Sequence, residues 1–309
     1  MVEEPTRVMR PERPRGPHRR PSRTRIVVRR LIAVAFLAAL VALLGGSAWA
    51  LLRGGDQAAP ESLPLPPPPK PLRIIFPEGF TREQMAHRIG EVNEIARTKR
   101  NVSPKLSPRR YLALTEGSSR VPKAFLVLDR PPNLEGFLFP ATYEFTKRTT
   151  TRQLVSHQLA AFKKNWARVN MRYARSKNLT PYDVLIIASM IEKEVIAPEE
   201  RRLVAAVIYN RLRAGMTLGI DATIRYGLGV PPTQSLRESH LHDPTLYNTR
   251  IHTGLTPTPI ANPGLASMQA AAHPARVDYL YFVRKPDKVH HFFTASKREF
   301  DNYQAAHGY

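Results

Sequence analysis

The alternation of apolar and polar positions divides the chain into five stretches. Residues 1–30 form a basic tail. From Leu31 to Leu52 every residue is uncharged ("LIAVAFLAALVALLGGSAWALL"), long enough to cross a hydrocarbon core of roughly 30 Å as one helix. Residues 53–72 carry the run "PLPPPPKP" and predict a semi-rigid polyproline linker. Residues 73–150 alternate short apolar runs with one helical pattern, a small α/β region. "LRIIF" reads as a strand and "TREQMAHRIGEVNEIA" as a helix capped by Thr81, while "AFLVL" and "LEGFLFPATYEF" read as extended pieces.

Residues 151–309 shift to a helical period. "TTRQLVSHQLAAFKKNWARV" has amphipathic spacing, and Thr180-Pro181-Tyr182-Asp183 opens a second helix that runs to about Val195. Pro198 starts a third, stopped by Gly215. Residues 216–262 have no clear period and are rich in Gly, Pro, Thr, Asn and His, as functional loops often are. Asn262-Pro263 precedes one more helix to about Ala272, and "YLYFV" and "HHFFT" predict a strand pair before a terminal helix. The whole predicts an α+β architecture with a mainly helical core.

Charge orients this plan. Ten arginines and three glutamates give residues 1–30 a charge of +7, out of +22 for all 309 residues. Arg19, Arg20, Arg23, Arg25, Arg29 and Arg30 precede the apolar run, and only Arg53 follows it closely. The positive-inside rule keeps the N-terminus in the cytoplasm and exports the rest, as the periplasmic or extracytoplasmic part of a single-pass inner-membrane protein. A cleaved signal peptide ending at Ala48-Trp49-Ala50 is the competing reading; the apolar stretch running on through Leu52 favours an uncleaved anchor. About +14 is spread over residues 54–309 with no basic stripe interleaved with aromatics, and export removes the domain from cytoplasmic nucleic acid, so no nucleic-acid partner is expected. Absence of cysteine excludes disulfides, thiolate zinc and cysteine nucleophiles. "HLHD" at 240–243 is a loop histidine pair, and neither a metal nor a cofactor is expected.

The candidate chemistry lies in "ASMIEKEV". On a helical wheel Val184, Ala188, Ile191 and Val195 form the apolar stripe, with Glu192 about 80° to one side and Glu194 about 80° to the other. Lys193 points away. Both acids sit on the border of the core near the helix end, where unpaired carbonyls and apolar neighbours raise a carboxyl pKa, as a general acid requires. A solvated surface pair is the competing reading, and spacing does not choose between the two acids.

These motifs together resemble a known family. "ASMIEKEV", "VIYNRLRAGMTL", "DATIRYGLG", "YNTR…GLTPTPIANPG", "QAAAHPARVDYLYFV" and "HHFF" stand in the order found in the MltG/YceG-like endolytic murein transglycosylases. "FPEGFTREQMAHRI" and "LEGFLFPATYEF" match the segments before the catalytic part, and the resemblance covers roughly 73–305. It implies a LysM-like fold for 73–150 and a catalytic domain over 151–309. It implies that Glu194 is the catalytic acid. The reaction it implies cuts the MurNAc-β-1,4-GlcNAc bond of nascent peptidoglycan without water and leaves 1,6-anhydroMurNAc ends, which would terminate strand elongation. Substrate contacts are expected from Glu192, Asp221, Thr223, Tyr226, Tyr247, Asn248, Thr249 and His290, although Asn248 and Asp221 also suit turn-stabilising roles. Peptidoglycan synthases of the elongation or division machinery are the expected protein partners.

The sequence departs from the family pattern at Gly219, Ile220 and Ala222, at Arg250 (where an aromatic is usual), at Ala141 and at Glu299-Phe300. These changes favour one rival expectation, a catalytically silent peptidoglycan-binding scaffold; a closer rival is a hydrolase that activates water with Asp221 or Glu192.

Overall fold

The protein is described here from a computed structural model, over residues 27–28, 31–42, 71–117, 120–125 and 133–308. It divides into two units, residues 1–68 and 69–309. In the first, residues 31–42 are helical and exposed. Among the described residues no helix is long and apolar enough to cross a membrane. The remainder of the expected span, 43–52, lies outside the described residues, as do the basic tail up to residue 26 and the linker up to residue 70.

The second unit opens with strand β1 (Leu72–Ile75) and helix α1 (Arg82–Arg100). Thr81 and Gln84 form the capping box that fixes where α1 starts. Helix α2 (Pro108–Thr115) occupies a polar stretch with no predicted element; its cap is Ser107, with proline at the first helical position. Strand β2 (Thr142–Phe145) then pairs antiparallel with β1, Leu72 opposite Phe145 and Ile75 opposite Thr142. The expected extended run over 134–145 is therefore strand only in its last four residues. Its beginning is a turn in which the Phe137 amide donates to the Leu134 carbonyl. Of "AFLVL", Ala124 and Phe125 belong to a short 3-10 turn and the rest lies outside the described residues.

Helix α3 (Thr151–Trp166) starts at a second capping box, Thr150 with Gln153. Helix α4 (Pro181–Glu194) starts at a third, Thr180 with Asp183, and ends where Val195 turns to extended backbone. Its expected stripe is too narrow. Every residue from Val184 to Ile191 is at most 3% exposed, so this helix is enclosed on all sides until its last turn. Helices α5 (Arg201–Arg213), α6 (Asp221–Leu228) and α7 (Leu265–Ala272) surround it. Helix α6 lies inside the stretch that shows no period. Strands β3 (Tyr281–Arg284) and β4 (His291–Thr294) form the expected hairpin, and helix α8 (Lys297–His307) closes the chain.

One hydrophobic cluster runs from Ile74 through Ala272. Phe137 stacks on Tyr182 at 6.3 Å and meets Phe162 edge-on at 5.1 Å, which joins the strand–helix–helix–strand region to the helical one. Residues on both sides of position 150 belong to one compact unit, and among the described residues its core cluster comes from within that unit.

Candidate active site

Three elements meet at the end of α4. Glu194 is its last helical residue. Its carboxylate accepts the backbone N–H of Ala222, the second residue of α6, where helix amides have no partner of their own. Arg284, at the end of β3, donates from Nη2 to the Glu194 carbonyl at 3.3 Å. Withdrawal from water and the nearby Asp221 charge push the Glu194 carboxyl up; Arg284, the Ala222 amide and Lys193 pull it back, and the balance is about 7. A group held there exchanges a proton readily near neutrality in either direction.

The turn that presents Ala222 is built from the expected contact residues. Thr249 Oγ1 accepts the Ile220 amide at 2.9 Å and lies 2.9 Å from Thr223 Oγ1, which in turn donates to the Ile220 carbonyl at 2.7 Å. The Thr249 carbonyl accepts from the Gly219 amide. Thr223 and Thr249 are 0% and 2% exposed, so they offer no surface to a ligand and instead fix the N-terminus of α6. Asn248 is likewise buried. Its Nδ2 donates to the Leu241 and Asp243 carbonyls and its Oδ1 accepts the Arg250 amide, the turn-holding role. All three hold turns by side-chain hydrogen bonds in this structure.

Asp221 and the two tyrosines are placed differently. Asp221, the first residue of α6, pairs with Arg250 at 2.7 Å on the surface. Tyr226 and Tyr247 are half-buried, with rings 5.2 Å apart. Tyr247 Oη lies 2.8 Å from Thr258 Oγ1. Gly227 lets the Tyr247 ring approach, because a Cβ there would come within 2.6 Å of the Tyr247 Cβ.

Glu192 turns to the other border of α4. Its Oε2 accepts the Gly264 amide at 2.9 Å, directly before α7. Glu78 reaches the same place and leaves no room for a side chain on Gly264; burial and the Glu192 charge push its pKa up. Lys193, expected to point into solvent, is half-buried and donates to the Gly79 carbonyl at 3.3 Å. His290 is on the β3–β4 turn, paired with Asp287 at 2.9 Å. Its neighbour His291 is the interior one: its Nδ1 lies 2.6 Å from Glu200 Oε2, and its amide donates to Glu200 Oε1. His291 stands opposite Arg284 in the hairpin, so this pair anchors the strand that carries Arg284 to the site.

A buried carboxyl joins three of the quoted motifs. Glu135, 0% exposed, accepts the Arg82 amide on both oxygens, Asn262 Nδ2 on Oε1 at 2.7 Å, and the Tyr226 hydroxyl on Oε2 at 3.3 Å. Burial pushes it up to about 8. Arg284 and Glu135 were missed as functional positions. Glu135 was visible as the one acid inside "LEGFLFP", Arg284 only as the charge that ends a strand. Asn210 and Arg211 of "YNRL" hold the site from below: Asn210 Nδ2 donates to the Val277 and Tyr279 carbonyls, and Arg211 to those of Leu218 and Leu280.

Fold and site together define a mixed helical protein with a carboxyl raised to about 7 at the end of α4. The YceG-like family model matches residues 53–306, and the chain belongs to that family. A Streptococcus pneumoniae (strain R6) protein named endolytic murein transglycosylase is 31% identical over 252 residues, which cover 76% of this chain and 44% of that protein. A Bacillus subtilis (strain 168) protein of the same name is 37% identical over 153 residues, 49% of this chain and 42% of that one. The chain therefore spans less than half the length of these curated relatives. The crystal structure of a YceG-like protein from Listeria monocytogenes superposes with a TM-score of 0.62 at 28% identity, covering 75% of this chain and 76% of that one.

Proposed function

We propose that this chain is an endolytic murein transglycosylase in which Glu194 is the sole acid and base. The observation that carries the reading is the placement of that carboxyl: drawn from water at a helix end, held by one amide, and poised to gain or lose a proton near pH 7. In its protonated form Glu194 gives its hydrogen to the glycosidic oxygen as the bond from C1 of MurNAc to O4 of GlcNAc breaks. The carboxylate left behind is favoured by the Ala222 amide and by the Arg284 charge. It then removes the hydrogen of the MurNAc C6 hydroxyl as O6 bonds to C1. The products are a free 4-hydroxyl and a 1,6-anhydro ring, no water is consumed, and Glu194 ends protonated as it began. A second carboxylate at a fixed distance, the requirement of an ordinary glycosidase, has no part in this sequence. The half-buried rings of Tyr226 and Tyr247 and the surface carboxylate of Asp221 suit sugar contacts.

The apolar segment 31–52 supports an inner-membrane anchor with the folded unit outside the cytoplasm. The order β1–α1–α2–β2 with its two-stranded antiparallel sheet supports the LysM-like reading of 73–150. Partnership with wall synthases, and strand termination as the outcome, follow from the resemblance alone.

Mass spectrometry of products from residues 69–309 acting on uncrosslinked glycan strands, beside Glu194→Gln, tests the proposal. Internal cuts with 1,6-anhydromuramyl ends, lost in the variant, are expected. Free reducing ends would make the protein a hydrolase, and glycan binding without cleavage in both proteins would make it a silent scaffold.

A further inference from the structure

The basic charge of the folded unit is not spread evenly. Between Glu144 and Asp183 the chain holds no Asp or Glu, and it carries Lys147, Arg148, Arg152, Lys163, Lys164 and Arg168. Arg172, Arg175 and Lys177 follow in the same interval. All nine are exposed. Among the described residues none of the nine takes part in an ion pair, whereas the flanking Glu144 is already paired with Arg73 at 3.0 Å. Arg152 and Lys163 lie on one line of α3, eleven positions apart, and so nearly in register on the helix. Arg172 and Arg175 border an open cavity with Trp166 and Val169, which adds apolar surface to the charge.

The position of this surface in the fold indicates its partner. Leu72, where the chain enters the folded unit from the linker, is paired with Phe145, and Lys147 and Arg148 follow two and three residues later. The acid-free run thus begins beside the point where the chain arrives from its apolar segment. The linker of 53–70 is short: at about 3.1 Å per residue its 18 residues reach roughly 56 Å at full polyproline extension. A tether of this length keeps the folded unit within reach of the bilayer that carries its anchor.

We infer that the exposed basic residues of the segment 147–177 dock on anionic phospholipid headgroups and hold the folded unit against the membrane that anchors it. The inference rests on the anchor reading above and is independent of the chemistry at Glu194. Each basic residue brought to an anionic bilayer strengthens binding about fivefold, so several acting together give firm but salt-sensitive attachment.

Co-sedimentation of residues 69–309 with vesicles tests it, since this part holds a complete core of its own. In about 0.1 M NaCl, binding to phosphatidylcholine vesicles containing phosphatidylglycerol should exceed binding to pure phosphatidylcholine at least about tenfold, and 1 M NaCl should abolish it. Combined Lys163→Glu, Lys164→Glu, Arg168→Glu and Arg172→Glu should remove at least about nine-tenths of it. Combined Arg213→Glu, Arg276→Glu, Lys288→Glu and Arg298→Glu, the same charge change elsewhere, should leave most of it. Equal loss in both variants would reduce the effect to net charge and overturn the proposal, as would absence of vesicle binding or its persistence in the first variant. Capture by a soluble anionic polymer in preference to vesicles would also overturn it, in favour of a wall-polymer site. Matching thermal melts exclude unfolding as the cause, and unchanged glycan cleavage in solution separates this result from the fate of the catalytic reading.

Discussion

The guanidinium of Arg250 lies 2.7 Å from the Asp221 carboxylate, one residue before the amide that holds Glu194. Where the family pattern has an aromatic, this chain therefore supplies a counter-charge for an acid that would otherwise disfavour ionisation of Glu194. Replacing Arg250 by Met should leave the Asp221 charge unscreened and raise the Glu194 pKa, moving the alkaline limb of the pH–rate profile up. Asp221→Asn should move it down. The pair is half-exposed, so both displacements should be modest and shrink in high salt, which pH–rate profiles at two ionic strengths would show.

In the proposed mechanism Glu194 must carry its proton to begin the reaction. With its pKa at about 7, activity should be present at mildly acidic pH and fall as the pH passes neutrality. Glu194→Gln should lose about 10²–10⁴-fold in turnover at every pH, with the denaturation midpoint little changed, as initial rates and melting curves would establish.

Glu135 is the counterpart case, a carboxyl raised for structural reasons. Its folded pKa of about 8 exceeds the ordinary carboxylate value, so the stability it lends is complete in acid and is lost as the pH rises through about 8. Urea titrations from pH 5 to 9 should show the unfolding midpoint of the parent falling over that range, and Glu135→Gln should flatten the dependence. A variant with the same slope as the parent would assign the loss to another group.

Thr249→Val keeps the shape of the side chain and removes the acceptor of the buried Ile220 amide. It should cost about 1–3 kcal/mol by denaturant titration. Because the same turn presents the Ala222 amide, kcat should fall more than KM rises.

Local signals placed most of the long helices and missed α2 and α6. Thr81 and Thr180 each start the helix their spacing announced, because a cap is a contact between residues three apart. The wheel also put Glu192 and Glu194 on opposite borders of α4, and they do turn to different neighbours, one to the Gly264 amide and the other to that of Ala222. It erred on Lys193 and on the narrowness of the stripe, since periodicity reports the faces of one helix and not how many neighbours enclose it. Arg284 reaches Glu194 across 90 residues and Asn262 reaches Glu135 across 127, pairings that no local pattern encodes. The buried placement of Thr223, Asn248 and Thr249 was hidden for a related reason. Hydroxyls and amides that hold a turn are the same groups that bind a sugar, and only burial separates the two uses.

The hydrogen bonds between Asn262 and Phe80 fasten two segments 182 positions apart. A chain that emerges N-terminus first can complete its strand–helix–helix–strand opening early, yet it cannot fasten Phe80 or Glu135 until Asn262 arrives, nor set Arg284 against Glu194 until later still. Synthesis is therefore also a timer. Glu194 is made about two-thirds of the way along the chain, but its surroundings are finished only near the end, so a chain cut short before the last hairpin lacks the Arg284 contact.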